Sequence, residues 1–203
     1  MPELPEATLK AAVEVDHVDH EALVATPLLS AEIVGECRFI RLPDQPDTAE
    51  VGVTVVDAWQ GRGLGSALLA RLSQHALQAG IAACHARART PEETDWARIV
   101  NLYAELARLA PSPVVELNRA VALAMAYGPA AGLELVDELS AEPFLKDYHL
   151  LPSVRGDLLG KLGRFDEAAA EFERAASLTR NVRERELLLE RAASCAQGKA
   201  PAR

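Results

Sequence analysis

Over the first eighty residues, apolar and polar positions alternate in short β-branched runs; beyond them, apolar positions recur every three to four residues almost to the end of the chain. A period of two marks half-buried strands and a period near 3.6 marks amphipathic helices. The alternating runs Glu21–Ala25, Ala31–Leu42 and Ala49–Val56 therefore predict three strands. A Pro-Leu-Leu-Ser turn separates the first two, and the cluster Pro43–Asp47 separates the second from the third. Gly35-Glu36 inside the second run predicts a bulge where the strand bends. Pro5 to Val15 reads as a short helix with Pro5 and Glu6 in its first turn. A further helix over 63–79 carries Leu64, Leu68, Leu69, Leu72 and Ala76 on one stripe. From Pro91 to Cys195 the pattern is helix after helix, broken at Pro111-Ser-Pro113, Gly128-Pro129, Glu142-Pro143, Gly163-Arg164 and Thr179-Arg-Asn181. The expected fold class is α+β followed by all-α: a mixed α/β sheet unit over 1–80, a helical array over 81–197, and a frayed tail from Gly198 to Arg203.

Composition narrows the partners. The 203 residues hold 21 Lys and Arg against 30 Asp and Glu, a formal charge of −9. Residues 1–80 carry 5 basic against 12 acidic side chains, and residues 81–203 carry 16 against 18. Neither half has the basic excess that phosphate-backbone binding demands, so no direct contact with nucleic acid is expected. Cys37, Cys84 and Cys195 are odd in number and lack a C-x-x-C, which points to reduced thiols and a cytoplasmic setting. The start, Met-Pro-Glu-Leu-Pro-Glu, has no secretory signal pattern, and no apolar run approaches the ~20 residues of a membrane span.

The chemistry concentrates at Val51-Gly-Val-Thr-Val-Val-Asp-Ala-Trp-Gln60-Gly-Arg-Gly63-Leu-Gly65-Ser66. A β-branched strand enters a Gly-rich turn, and the turn opens a helix. Such a junction exposes free backbone N–H groups at the positive end of a helix dipole, which is an anion site. Glycines there remove the Cβ atoms that would keep a phosphate away from the main chain. The competing reading is a tight strand-to-helix turn with no ligand.

The spacing Gln-x-x-Gly-x-Gly, in the order strand, acidic turn, Trp-Gln, helix, resembles the pyrophosphate-binding motif of the GNAT acyltransferases. The resemblance implies that the backbone of Gln60, Gly61, Arg62, Gly63, Leu64 and Gly65, with Ser66 at the helix start, holds the pyrophosphate of acetyl-CoA, the acyl donor. It also implies that Val55 and Val56 line the pantetheine side. On the motif strand Glu50 shares a face with Gly52 and Thr54 and is the candidate catalytic base; its alternative is a solvated strand-end carboxylate. Tyr103, Tyr127 and Tyr148 match no family position. Compared with the family pattern the unit reads as trimmed at both ends, with helices where the second wall of the pantetheine cleft is expected. Acyl transfer to an amine and a CoA-binding relic are both consistent with that.

The helical half carries a second resemblance. The segment around Leu123–Leu133 can be laid on Leu158–Ala168 with a shift of 35 residues, close to the ~34-residue TPR period. Leu159-x-x-Leu162-Gly163-Arg164-x-x-Glu167-Ala168-x-x-x-Phe172-x-x-Ala175 fits a TPR helix-turn-helix. Together with Ile81–Trp96, Leu109–Val121 and Tyr148–Arg155, this half resembles the TPR-like C-terminal extension of a group of ECF sigma factors. That resemblance implies a non-catalytic interaction module with a protein partner on the helical array; Glu116, Asn118 and Arg119 either line its concave face or pair within or between helices.

The remaining clusters read as structural. Asp16-His17-Val-Asp19-His20 lacks a third ligand group, so no metal is expected there. His85-Ala-Arg87-Ala-Arg89 decorates a helix or meets an acidic partner. Trp96, Leu102, Tyr103, Leu106 and Leu109 form a core stripe, and Arg183–Glu186 with Glu190-Arg191 read as i,i+4 surface pairs.

Overall fold

The computed structural model describes residues 20–199. The helix expected over Pro5–Val15 and the cluster Asp16–Asp19 lie outside the described residues. The chain divides into two compact units, Met1–Ala76 and Leu77–Arg203.

In the first unit, β1 (His20–Ala25), β2 (Gly35–Leu42) and β3 (Gln45–Val55) form a three-stranded sheet in that order. Both pairings are antiparallel. The register sets Leu23, Cys37 and Val53 in one row and Ala22, Arg38 and Gly52 in the next. Cys37 is fully buried beneath Leu68 and Leu72 of helix α1 (Leu64–Arg87), with Leu23, Ala25 and Phe39 around them. Gly35 is not a bulge. It pairs in register with Ala25 and Val55, and a Cβ there would lie 3.1 Å from Leu68 Cδ1 and 3.2 Å from Leu64 Cδ2. The residue is small because a helix crosses it. The irregularity falls instead between Arg41 and Leu42, beside the hairpin that pairs Leu42 with Gln45. The second strand begins at Gly35 rather than Ala31, although Val34 extends the pairing through Val34 N–H to Ala25 O (2.9 Å) and Val56 N–H to Val34 O (3.0 Å).

Helix α1 does not stop at residue 79. Gly80 is a helix-interior position whose missing Cβ would meet the Leu102 methyls at 3.4 and 3.5 Å, so the glycine answers packing rather than termination. The junction expected near Gln74–Ile81 therefore lies inside one continuous helix. The second unit continues with α2 (Trp96–Leu109), α3 (Pro113–Tyr127), α4 (Pro129–Leu139), α5 (Leu150–Lys161), α6 (Phe165–Leu178) and α7 (Val182–Ala196). The sheet is thus followed by seven α-helices among the described residues. One core gathers Ile81, Cys84, Ile99, Val100, Leu106 and Ala122. In the stripe read from sequence, Leu106 is buried but Leu109 is 37% exposed, while Ile99, outside that stripe, is 1% exposed. The second core centres on Phe172 with Leu151, Leu159, Ala168 and Ala175. The turn after α7 is a cap where fraying was expected: Gly198 at φ +70° donates to Cys195 O (2.8 Å) and Lys199 N–H reaches Ser194 O (3.1 Å). This double bond pattern satisfies carbonyls the helix would leave orphaned. The rest of the expected tail, 200–203, lies outside the described residues.

All three cysteines are free and buried. Burial pushes the thiols of Cys37 and Cys195 up, away from the reactive thiolate. A native-state thiol titration is expected to show slow release from these two positions, becoming fast in denaturant. Rapid labelling of the folded chain at Cys37 would contradict this packing.

Candidate functional site

The end of β3 builds the site. Val51, Val53 and Val55 alternate onto the face that carries Cys37 and Phe39, while Glu50, Gly52 and Thr54 occupy the other. Glu50 is exposed and pairs across the sheet with Ile40. A 3-10 turn, Asp57–Trp59, then lifts the chain off the sheet. Gly61 (φ +71°) and Gly63 (φ +80°) both take left-handed backbone conformations, which β-carbon sterics make costly for other residues. The first intrahelical bond of α1 runs from Ala67 N–H to Gly63 O (3.0 Å). The N–H groups of Leu64, Gly65 and Ser66 precede it and have no partner within the helix. The first turn of α1 carries no acidic residue, so nothing there opposes the positive end of the dipole. Gly65 sits against the sheet: a Cβ would be 3.4 Å from Val53 Cγ1 and 3.5 Å from Val55 Cγ2.

The side chains of the loop have separate tasks. Gln60 turns back, its Nε2 donating to Val55 O (3.0 Å) and to Asp57 Oδ1 (2.9 Å). It closes the loop on the strand end, and its own N–H donates to Asp57 O (3.2 Å), so the backbone contact expected at Gln60 falls instead to the residues that follow it. Asp57 is a supporting residue the sequence reading did not single out; its signal was an acidic side chain three positions before the Gln. Arg62 lies over the Trp59 ring, 5.2 Å from the centroid, an attractive cation–π arrangement. Val56 is 45% exposed and Val55 half-buried beside Gly65. Loop, helix start and Ser66 are thus adjacent, while Glu50 stands five residues up the strand from Val55. Loss of the two exposed Gln60 bonds costs about 0.5–1.5 kcal/mol each. Gln60→Ala is accordingly expected to weaken anion binding at the loop several-fold, measured by titration calorimetry.

Candidates in the helical unit resolve differently. Glu116 and Arg119 pair with each other on α3 (Nε to Oε2, 2.7 Å). His85 packs edge-on to Trp96 at 5.2 Å. Three of the residues read as i,i+4 surface pairs on α7 instead reach beyond it. Glu184 accepts from His149 (3.0 Å) and Thr179 (2.5 Å), Arg185 donates to Thr179 O (2.7 Å), and Arg191 pairs with Asp157 of α5 (2.8 Å). His149–Glu184 and Asp157–Arg191 are separated by 35 and 34 residues, beyond the reach of any i,i+4 reading. Among the described residues no three His, Cys, Asp or Glu side chains converge as metal ligands, and no helix is long and apolar enough to cross a membrane.

This strand–loop–helix lies within the segment 3–104 that matches the acetyltransferase (GNAT) family, and the chain belongs to that family. The match runs past residue 80, through the rest of α1 and into α2. An uncharacterized protein of Rhizobium meliloti is 48% identical over 114 residues, which cover 56% of this chain and 26% of its own length. Acetyltransferase Pat of Mycolicibacterium smegmatis is 37% identical over 84 residues, covering 41% and 25%. The chain thus spans about a quarter of the length of these curated relatives. No solved structure matches.

Proposed function

We propose that residues 50–66 form the donor site of an acyl-CoA-dependent N-acyltransferase, with acetyl-CoA as donor and an amine as acceptor. The observation that carries this reading is the pair of left-handed glycines, Gly61 and Gly63, opening onto an acid-free helix start. A pyrophosphate there receives main-chain N–H groups and the dipole together. In the transfer step the amine nitrogen attacks the thioester carbonyl, the C–N bond forms, the C–S bond breaks, and the electron pair leaves on sulfur. The proton lost by the amine goes to Glu50 or through a water, and the thiolate takes one up. Positioning the two reactants supplies much of the rate in such chemistry. Acyl-CoA and buried reduced thiols both fit a cytoplasmic setting. Calorimetric titration with acetyl-CoA tests the reading, with Gly63→Trp as control. Micromolar binding lost in the variant is the expected result; a folded wild-type chain that shows no heat of binding would sink it.

A second reading concerns the helical unit, as a TPR-like array similar to the C-terminal extension of an ECF sigma factor and serving to hold a protein partner. It is favoured by the self-contained core around Phe172 and by hairpins packed closely at Gly132 and Gly156. Partner binding that persists in Gly63→Trp while acetyl-CoA binding is lost would separate the two functions.

A further inference from the structure

We propose that the cleft between α3, α5 and α7 binds an extended peptide segment in which a carboxylate side chain neighbours an aliphatic one. The inference rests on the interaction reading of the helical unit and gives that unit a surface and a ligand chemistry. The cleft measures about 320 Å³, at the small end of the ~300–1,000 Å³ usual for ligand sites. That volume suits a few residues of a chain.

Its walls differ. Val121 and Met125 of α3 face it one helical turn apart and are 37% and 44% exposed. One turn of helix advances roughly 6 Å, close to the ~6.6 Å between alternate side chains of an extended strand. Two aliphatic side chains on one side of such a segment therefore meet Val121 and Met125 in step. Methionine adapts its shape to such contacts.

The opposite wall is charged. Both oxygens of Asp157 are engaged, Oδ1 by Arg191 Nη2 at 2.8 Å and Oδ2 by Lys161 Nζ at 2.7 Å. Two cations about one carboxylate leave a local positive excess, in a chain whose net charge is −9. Arg191 is held in place, its guanidinium 4.9 Å from the Phe172 ring centroid. Lys161 keeps half of its side chain exposed, and Asp157 takes only one of the three N–H donors that an ammonium carries. A carboxylate entering the cleft finds this ammonium at the rim and an aliphatic wall facing it. The open side of the cleft leaves a peptide backbone hydrated, whereas an acyl chain lying there would keep much of its apolar surface in water.

The test is fluorescence anisotropy on the full chain with an N-terminally labelled Leu-Glu-Leu-Glu-Leu peptide and its Leu-Gln-Leu-Gln-Leu counterpart. The acidic peptide is expected to bind wild type, weakening with added salt. Affinity is expected to drop roughly tenfold for the Gln peptide, for Lys161→Gln and for Met125→Asp, a factor equal to about 1.4 kcal/mol. Lys161 and Asp157 form a partly exposed i,i+4 pair, so Lys161→Gln is expected to leave the helical circular dichroism intact. Equal binding of the acidic peptide by wild type and both variants would overturn the cleft and leave the interaction reading standing. No affinity of the folded chain for either peptide would overturn both.

Discussion

Alanine at Gly61 or Gly63 is expected to cut acetyl-CoA affinity about tenfold, while alanine at Gly65 is expected to leave it within about twofold. The three glycines stand within five residues but are glycine for different reasons. At Gly61 and Gly63 nothing lies within 4 Å of an added Cβ, so space does not select them; their φ values of +71° and +80° do. A left-handed residue with a Cβ costs about 1–2 kcal/mol. The loop escapes that strain by moving φ to negative values, which redirects the main chain that leads into the helix start. At Gly65 the conformation is ordinary, and an added methyl reaches Val53 and Val55 at 3.4 and 3.5 Å, normal van der Waals contact. The titration described for wild type decides the order of the three variants. An equal loss at Gly65→Ala would mean that room beside the ligand, rather than backbone direction, governs the site. Because the loop and the helical cores belong to separate compact units, the thermal transition of the helical unit is expected to stay in place in all three variants.

The loop was legible because its information is local. A switch of period from 2 to 3.6, with glycines at the switch, specifies strand, left-handed turn and helix within about sixteen residues. The strand limits were not, and proline shows why. Pro46 read as part of a breaker cluster, yet β3 already runs from Gln45. A proline lacks the donor that a central strand requires, but an edge strand tolerates it, and β3 is the edge of the described sheet. Edge or centre is a property of tertiary pairing that no window of sequence contains. Gly80 misled in the same way, since its helix-breaking tendency of about 1 kcal/mol is outweighed by packing beneath Leu102. Charges on α7 were read as neighbours of one another because i,i+4 spacing is the visible one. Arg191 instead finds Asp157 and the face of Phe172, partners fixed only once α5, α6 and α7 have packed.

Gly132→Ala is expected to destabilise the helical unit by about 1–3 kcal/mol, whereas Gly156→Ala is expected to be nearly neutral. Both glycines lie within helices, where alanine is favoured over glycine by about 1 kcal/mol, so the sign depends on what the new methyl meets. At Gly132 a Cβ would fall 2.6 Å from Ala120 O and 2.7 Å from Ala124 Cβ. The oxygen belongs to the α3 backbone and cannot swing aside, so α3 and α4 must separate. At Gly156 the contacts are the Phe172 ring edge at 3.1 Å and Ala168 O at 3.2 Å. A shift of a few tenths of an ångström relieves them, and the gain in helix propensity offsets the remaining strain. For a domain of this size 1 kcal/mol corresponds to a few degrees of melting temperature. Circular dichroism melts are therefore expected to show a drop of roughly 5–10 °C for Gly132→Ala and little change for Gly156→Ala. Ala124 also lines the cleft between α3, α5 and α7. Displacing α3 from α4 moves that wall, so Gly132→Ala is expected to weaken binding of the acidic peptide even at temperatures where the unit remains folded. Unchanged melting of Gly132→Ala would mean that the hairpin opens at no cost, and the close approach of α3 and α4 would then contribute nothing to the unit's stability.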